Sequence, residues 1–186
     1  MAAVPGPGRR PLALRRVVLT GAESTGKTTL AAELARARGA PVVPEHARRY
    51  LADKGAALTA ADVEPIARGQ MALEDEAEAP APAVLFKDTD LVSTVVYARH
   101  YYGACPAWIE EAARSRLAEL YLLVHPDVPW VPDGAQRERP QARLQLHARF
   151  REALDDLGAH FVDVRGGWDE RRAAAEAAVA ALLAGS

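Results

Sequence analysis

The feature that most constrains the fold is a glycine-rich loop placed directly after a short apolar segment. Residues 21–28 read Gly-Ala-Glu-Ser-Thr-Gly-Lys-Thr and fit the pattern G-x-x-x-x-G-K-T, and residues 16–20, Arg-Val-Val-Leu-Thr, predict a buried strand. A strand, this loop and a helix together form a phosphate-binding unit, in which backbone N–H groups surround phosphate oxygens at the N-terminus of the helix. The chain is therefore expected to bind a nucleoside triphosphate.

The loop side chains have separate expected roles. Lys27 would reach the outer phosphates, and Thr28 would ligate Mg²⁺. The alternative is a glycine-rich turn that only caps an ordinary helix, but lysines are scarce in this chain and one falls at the motif position. The residues expected to bind ATP are Gly21, Glu23, Ser24, Thr25, Gly26, Lys27, Thr28 and Thr29.

Length and composition limit the possible partners. The 186 residues suit one domain, expected over residues 16–186 after a flexible N-terminal extension at 1–15. A net charge of −2 argues against a large nucleic-acid-binding surface. The lone Cys105 fits a reducing compartment, and no apolar run approaches the roughly 18 residues needed to span a bilayer. We expect a cytoplasmic protein with a small-molecule partner and no membrane or nucleic-acid partner. The sequence leaves the oligomeric state open.

Strand and helix signals alternate along the chain. Strands are predicted at 16–20, 41–44, 83–87, 120–125 and 160–164, and helices at 28–38, 46–54, 59–78, 91–102, 106–116, 141–157 and 169–183. This alternation predicts an α/β fold in which a five-stranded parallel sheet is covered by helices on both faces, a three-layer sandwich typical of P-loop kinases. Ligands in such sheets bind beyond the carboxyl ends of the strands.

Two carboxylates follow the third predicted strand. Asp88 closes an apolar segment, where a carboxylate is expensive to bury unless it is paired or lies near a metal, so it is our candidate for holding Mg²⁺. The alternative is that Asp88 caps the helix that begins near Leu91. Asp90 is expected to be either that cap or a substrate contact.

Glu45 follows the second predicted strand. A carboxylate there could accept the proton of an acceptor hydroxyl during attack on the γ-phosphorus, or it could orient a sugar hydroxyl. The simpler interpretation is a first-turn glutamate favoured by the helix dipole. Arg48 and Arg49 lie close in sequence and either hold phosphate or form a solvated face.

The segment 126–140 is rich in proline and arginine. It contains four prolines and Trp130, Asp133, Arg137 and Arg139, and Arg143 follows it. A mobile lid that carries arginines could close over the transferring phosphoryl group and stabilise its charge, and Arg137 is our candidate for that role. The alternative is a long loop with solvated arginines.

Several motifs with their order and spacing resemble the ribosylnicotinamide kinase family, represented by NadR kinase domains. They are residues 21–30, 44–48 (Pro-Glu-His-Ala-Arg), 66–70 (Ile-Ala-Arg-Gly-Gln), 86–90 (Phe-Lys-Asp-Thr-Asp), 102–106 (Tyr-Gly-Ala-Cys-Pro) and 126–134. The resemblance runs from about residue 16 to 183. It implies that the γ-phosphate of ATP is transferred to the 5′-hydroxyl of nicotinamide riboside, giving nicotinamide mononucleotide, with ATP and Mg²⁺ as cofactors.

The resemblance also implies the roles of individual residues. Lys27 and Thr28 would serve ATP and Mg²⁺, Asp88 would be their acidic partner, and Glu45 and Asp90 would face the nucleoside. The residues expected to act in catalysis are Lys27, Glu45, Asp88 and Arg137, and those expected to contact the substrate are Glu45, Arg48, Asp90, Tyr97, Trp130 and Asp133.

Two features depart from the family pattern. Bifunctional members tend to carry aromatic residues where this chain has Pro44 and Leu73, and Tyr97, Tyr101 or Trp130 could replace them in stacking on a pyridinium ring. None of the five histidines has the context of an adenylyltransferase motif. A kinase for another small hydroxyl substrate, or a nucleotide-operated switch, remains an alternative function.

Overall fold

Five parallel strands form one sheet in the computed structural model, which describes residues 14–78, 83–129 and 142–185. The strands are β1 (Arg15–Thr20), β2 (Val42–Val43), β3 (Val84–Asp88), β4 (Leu120–Val124) and β5 (Phe161–Val164), in the spatial order β2-β3-β1-β4-β5. Val17 lies opposite both Phe86 of β3 and Leu120 of β4. From the central strand β1 the chain runs to β2 and β3 on one side and later to β4 and β5 on the other, which opens a crevice at the carboxyl end of β1.

Seven α-helices are described together with one 3₁₀ turn at Ala60–Asp62. They are α1 (Lys27–Arg38), α2 (His46–Lys54), α3 (Val63–Glu78), α4 (Leu91–Tyr102), α5 (Ala107–Ser115), α6 (Ala142–Asp156) and α7 (Trp168–Ala184). Three helix ends, one of α1 and both of α4, are fixed by glycines or by a capping side chain. Left-handed glycines end α1 at Gly39 and α4 at Gly103, and the Asp90 side chain caps the start of α4.

The side chains of the sheet alternate between two hydrophobic cores, one on each face. Val17 and Leu19 pack in the core formed with α1 and α7, whereas Val18 packs in the core formed with α3, α4, α5 and α6. The sheet therefore lies between two helical layers, and the predicted three-layer α/β architecture is confirmed. The predicted lid lies mostly outside the described residues, since residues 130–141 are not described.

Most element boundaries lie within one residue of the predictions, and three differences are larger or change an assignment. The second strand has two residues rather than four, because prolines 41 and 44 flank it and lack the N–H groups that a sheet ladder needs. Residues 59–62 form a capped 3₁₀ turn before α3 instead of its first turn. Arg15 belongs to β1 and its N–H donates to the Ala83 carbonyl, so placing it in the flexible extension was wrong. Residues 1–13 lie outside the described part.

Candidate active site

The glycine-rich loop connects β1 to α1 and takes a backbone path that its glycines make possible. Gly21 has φ +126°, and a Cβ at this position would lie 2.7 Å from the Val124 carbonyl oxygen. Gly26 has φ +86° at the start of α1, and Ser24 is also left-handed, with φ 51°. Ala22 accepts hydrogen bonds at its carbonyl from the Thr25 hydroxyl, at 3.0 Å, and from the Lys27 ammonium, at 2.6 Å. The motif therefore has the tight conformation expected of a phosphate-binding loop.

Lys27 lies among three carboxylates. Burial lowers the pKa of its ammonium, whereas the negative charges of Glu45, Asp88 and Glu23 oppose that shift. The Lys27 ammonium donates to the Ala22 carbonyl of the loop. A neutral carbonyl is a weaker acceptor for a charged donor than a phosphate oxygen is. The structure thus places Lys27 where the sequence predicted it, facing the carboxylates expected to act with it.

Thr28 and Asp88, the two residues predicted to hold Mg²⁺, are in direct contact. The Thr28 hydroxyl donates to Asp88 Oδ2 at 2.6 Å. Asp88 is 3% exposed, and its Oδ1 atom is buried without a hydrogen-bond partner. A buried carboxylate oxygen without a donor fits a cation or its bound water. The alternative that Asp88 caps α4 is wrong, because the Asp90 side chain accepts the cap hydrogen bonds from Val92 and Ser93.

The arrangement suits an ion that also uses ligands from a nucleotide. Across residues 14–78, 83–129 and 142–185, no group of three or more His, Cys, Asp or Glu side chains is arranged to hold a metal ion. Mg²⁺ is commonly bound by one or two protein oxygens together with water and substrate phosphates. Thr28 and Asp88 match that mode of binding.

Asp90 has a structural role. Besides capping α4, it accepts a hydrogen bond from the buried Tyr121 hydroxyl at 2.7 Å. Burial raises the pKa of the Asp90 carboxyl to about 6, and the nearby charge of Glu74 adds to this effect. The carboxylate is 6% exposed and is not among the residues that line the cleft described below. The capping interpretation is confirmed, and the geometry gives no support to a substrate contact.

Glu45 lies at the N-terminus of α2 on the far side of the loop from β4. It is the N-cap residue of α2, directly before the first helical turn, and its side chain makes no capping hydrogen bond. A carboxylate at this position is still favoured by the helix dipole. Arg48 Nη2 lies 3.7 Å from Glu45 Oε2. Arg49 instead pairs with Asp53 on the surface, where both side chains are mostly exposed. Of the two arginines, only Arg48 therefore lines the cleft, and Arg49 belongs to the solvated face.

A cleft of about 460 Å³ lies over the loop and continues into a smaller side pocket of about 50 Å³. Glu45, Thr89 and Tyr97 line both cavities, so they mark the junction between them. The cleft also brings together residues that follow all five strands. Its lining consists of Glu23, Ser24, Thr25, Gly26, Lys27, Thr28, Thr29, Glu45, Arg48, Leu51, Thr89, Tyr97, Val128, Pro129 and Trp168.

Aromatic rings of α4 line the side pocket. The rings of Tyr97 and Tyr101 are stacked, with centroids 6.0 Å apart and an interplanar angle of 4°. The Tyr101 hydroxyl donates to Glu23 of the loop at 3.4 Å. Pro44 and Leu73, which stand where relatives tend to have aromatics, are not among the residues that line this pocket. Two of the proposed replacements, Tyr97 and Tyr101, therefore lie at the pocket, whereas Trp130 lies outside the described residues.

A buried polar network supports the start of α2. The Gln70 side chain accepts from the backbone N–H of His46, at 2.9 Å, and donates to Glu74. Glu74 in turn pairs with Lys87 at 2.9 Å, and both residues are 1% exposed. Lys87 belongs to the motif at residues 86–90 but does not line the cleft, because alternation along β3 turns its side chain toward α3. Gly69 lies under the His46 ring, and a Cβ here would lie 2.0 Å from Nε2, so a larger residue would have to displace that ring.

Two buried arginines hold the loop from the side of β4 and β5. Arg171 of α7 is fully buried and donates to the carbonyls of Thr25 and His125, at 2.9 and 2.8 Å, and it pairs with Asp127. Arg143 donates to the Ser24 carbonyl at 3.1 Å from within α6. Placing Arg143 with a mobile lid was therefore wrong. Arg137, Asp133 and Arg139 lie outside the described residues.

Sequence reasoning missed three contributors to the site. No sequence pattern predicts the role of Arg171, because two of the groups that it bonds are the backbone carbonyls of Thr25 and His125, which are distant in sequence. Thr89 lies within the motif at residues 86–90, which gives it no individual role, and it lines both cavities with φ 71°, a conformation rare for a β-branched residue. Trp168 could have been found, because it follows the fifth strand, and only the segments after the first four strands were considered.

Comparison with known proteins adds family information to this geometry. A protein-family model described as AAA domain matches residues 16–171. The trifunctional NAD biosynthesis/regulator protein NadR of Escherichia coli is 32% identical over 160 residues, which cover 83% of this chain and 39% of that protein. NadR of Salmonella typhimurium is 32% identical over 129 residues, covering 67% of this chain and 32% of the relative. The chain thus spans about a third of the length of these curated relatives.

Solved structures give a matching picture. A NadR crystal structure in complex with NAD and AMP-PNP is 27% identical, with a TM-score of 0.77 over 91% of this chain and 49% of that one. A NadR structure in complex with NR gives a TM-score of 0.73, with 90% and 49% coverage. Thymidylate kinase from Ehrlichia chaffeensis, at 13% identity and a TM-score of 0.59, shows a shared fold alone.

The described part of the chain also contains no helix that is long and apolar enough to cross a membrane.

The matched family model extends over more than four fifths of the chain, from the strand before the loop to Arg171 of α7. Two independent kinds of similarity, in sequence and in backbone, lead to the same relatives. The chain therefore belongs to this AAA domain family and is a NadR-kinase-like P-loop protein.

Proposed function

We propose that this chain transfers the γ-phosphate of ATP to the 5′-hydroxyl of nicotinamide riboside, producing nicotinamide mononucleotide and ADP. The observation that carries the proposal is the position of Glu45, which lines both the cleft over the phosphate-binding loop and the side pocket next to it. A carboxylate at such a junction can face an acceptor hydroxyl and the transferring phosphoryl group together. Structures of NadR with NR and with AMP-PNP, similar in fold to this chain, support the choice of ligands.

The loop side of the cleft would bind the triphosphate. Loop N–H groups and the Lys27 ammonium would hold the phosphate oxygens, with Lys27 leaving the Ala22 carbonyl for a stronger charged partner. Thr28 and Asp88 are the residues that would hold Mg²⁺, since their oxygens are 2.6 Å apart and Asp88 Oδ1 lacks a donor. A bound Mg²⁺ would neutralise phosphate charge during transfer.

Glu45 would act on the acceptor. As the bond forms between the 5′-oxygen and the γ-phosphorus, the bond from that phosphorus to the β–γ bridging oxygen breaks, and the hydroxyl proton passes to the Glu45 carboxylate. Arg48, 3.7 Å from Glu45, adds positive charge on the same side of the cleft. In this proposal Arg137 acts from the lid on the transferring group, as predicted from the sequence.

The nicotinamide base would lie at the mouth of the side pocket, because the pocket, at about 50 Å³, is too small to enclose the ring. Tyr97 and Tyr101 line the pocket and offer aromatic surface to a cationic ring, which is the type of contact that pyridinium recognition uses. The pocket lacks the contributions expected from positions 44 and 73. That difference favours, as a second candidate, a kinase of the same mechanism whose acceptor is another nucleoside.

Calorimetry separates the two candidates. Nicotinamide riboside should bind the protein in the presence of Mg²⁺ and AMP-PNP, and Tyr97→Ala should weaken that binding by about tenfold, because an aromatic contact to a cation is lost. A matched control, Tyr50→Ala, removes a ring of α2 that lines neither cavity and should leave the affinity for nicotinamide riboside unchanged. Absence of binding by nicotinamide riboside together with binding of another nucleoside would support the second candidate.

A further inference from the structure

The cleft has two chemically different ends on either side of the loop. Beyond β2 and β3 it presents Glu45 and Arg48, and the cleft-lining Thr28 is bonded to the buried Asp88. Beyond β4 and β5, on the opposite side of β1, it presents Val128, Pro129 and Trp168. The charged end can serve phosphoryl transfer, whereas the other end offers apolar surface.

This asymmetry fixes the direction of a bound nucleotide, given the proposed function. The γ-phosphoryl group must point toward Glu45 and the candidate Mg²⁺ site, because the acceptor hydroxyl and the ion act on it there. The phosphate chain lies along the loop, which follows the central strand β1. The ribose and base must therefore leave the loop on the side of β4 and β5.

Trp168 is a large apolar side chain held in place at that end. Its ring packs over Gly26 of the loop, with the ring atom Cζ3 3.0 Å from the position that a Gly26 Cβ would take. The turn before it is fixed by hydrogen bonds from the Gly166 N–H to Asp127, from the Gly167 N–H to Glu170, and from Arg171 to the Gly166 carbonyl. Trp168 nevertheless remains 36% exposed and lines the cleft.

We propose that Trp168 is the surface on which the base of the nucleotide donor stacks, with Val128 and Pro129 adding apolar contact. Packing on Gly26 alone would account for the ring position but not for a tryptophan that stays partly exposed and also lines the cleft. A tryptophan ring can stack on any base and needs no hydrogen bond to do so. Trp168 is thus assigned as a donor-binding residue, separate from the acceptor pocket.

The test compares a complete donor analogue with one that lacks the base. Binding of AMP-PNP and of inorganic tripolyphosphate, each with Mg²⁺, is measured by calorimetry on the wild type, Trp168→Ala and Trp168→Phe. Trp168→Ala should weaken AMP-PNP binding by about tenfold or more and should change tripolyphosphate binding by less than about twofold, because only the base stacks on the ring. Trp168→Phe, which keeps a ring, should stay within about threefold of the wild type for both ligands.

A second tryptophan provides the control. Trp108 of α5 contacts Arg68 at 4.5 Å, away from the cleft, so Trp108→Phe should leave both affinities unchanged. Equal weakening of AMP-PNP and tripolyphosphate in Trp168→Ala would overturn the proposal, since the ring would then only support the loop. Unchanged AMP-PNP binding in that variant would overturn it as well. A wild type that binds AMP-PNP but no nicotinamide riboside would refute the proposed acceptor and leave the stacking role intact.

Discussion

The two ends of the cleft are held in place by different kinds of buried cation. Under β2 and β3, Lys87 pairs with Glu74 and Glu78, and the network continues through Gln70 to the backbone next to Glu45. Under β4 and β5, Arg171 is bonded to three backbone carbonyls and to Asp127. The end under β2 and β3 is therefore positioned by ion pairs and hydrogen bonds between side chains. The end under β4 and β5 is positioned mainly by one side chain that donates to backbone carbonyls. Because the first arrangement needs particular charged residues, the sequence can indicate the charged end of the cleft. The other end can be identified only once the three-dimensional structure is known.

The largest expected effect concerns the loop shared by both ends. Lys27→Ala should lower phosphoryl transfer at least a thousandfold, because the ammonium stabilises phosphate charge that develops in the reaction. Thermal unfolding should change little, since the side chain contributes a hydrogen bond to a loop carbonyl and no core packing. Arg49→Ala, which removes a cation from the exposed surface, is the matched control and should keep full activity. Retention of more than about a tenth of wild-type turnover by Lys27→Ala would contradict its assignment.

Glu45→Gln tests the charged end directly. We expect turnover to fall by about a hundredfold, with a much smaller change in the affinity for the acceptor, because a base or orienting carboxylate acts in the transition state. Steady-state kinetics with varied acceptor gives kcat and KM separately. Glu64→Gln, on the exposed side of α3 beside Arg68, is the control. A rise in KM at unchanged kcat would show that Glu45 only binds the acceptor.

Asp88→Asn should have a smaller effect that depends on metal concentration. The substitution keeps the shape of the side chain and removes one charge, so activity should fall by some tens of times and recover in part at high Mg²⁺. Asp53→Asn, an exposed residue of α2, should respond to neither change. Activity that is low at every Mg²⁺ concentration would indicate that Asp88 acts by holding Thr28 rather than the ion.

A pH effect is expected from the end under β4 and β5. Burial and the neighbouring charge of His125 lower the pKa of the His147 ring to about 4, below its ordinary value of 6.5. Between those values the unfolded chain binds a proton that the folded chain does not, so stability should fall as the pH drops from about 6.5 to about 4. The loss should not exceed about 1.4 kcal/mol per pH unit. The charged or titratable groups around this ring are His125, Asp163, Arg151 and Arg165.

Denaturant unfolding between pH 4 and pH 7 measures this effect. His147→Phe, which keeps an aromatic ring and removes the titrating group, should flatten the pH dependence of the free energy of unfolding. His160 lies on the exposed surface, and His160→Gln should preserve the wild-type profile. An equally steep profile in His147→Phe would assign the acid sensitivity to other groups.

The comparison of the two ends also explains what the sequence could predict. Strand and helix signals were sufficient for the layered sheet, because β4 and the centre of β1 (Val17–Leu19) are apolar and glycines or an aspartate mark several helix ends. The contact between Thr28 and Asp88 followed from placing the loop after β1 and the end of β3 at the same edge of a parallel sheet. A charged residue that directly follows a predicted strand can therefore be assigned to the ligand-binding edge of the sheet from the sequence alone.

The remaining features depend on three-dimensional contacts that leave no local pattern. The burial of Lys87 depends on which face of β3 it occupies, and its partner Glu74 lies on another element. Two of the carbonyls that Arg171 bonds belong to residues more than 40 positions away. Because every residue has a backbone carbonyl, these partners leave no pattern in the sequence. The left-handed conformation of Thr89 is imposed by its surroundings, since a threonine does not favour it. The proposed role of Trp168 depends on its packing over Gly26.

The central claim, phosphoryl transfer to nicotinamide riboside, is tested most directly by ADP release. The protein is incubated with ATP and Mg²⁺ and a panel of nucleosides, with Lys27→Ala as the blank, and the product is identified by mass and by the position of its phosphate. The account predicts that nicotinamide riboside stimulates ADP formation most strongly and gives stoichiometric 5′-phosphorylated product. ADP release that is the same with and without every nucleoside would contradict it and would favour a nucleotide-operated switch.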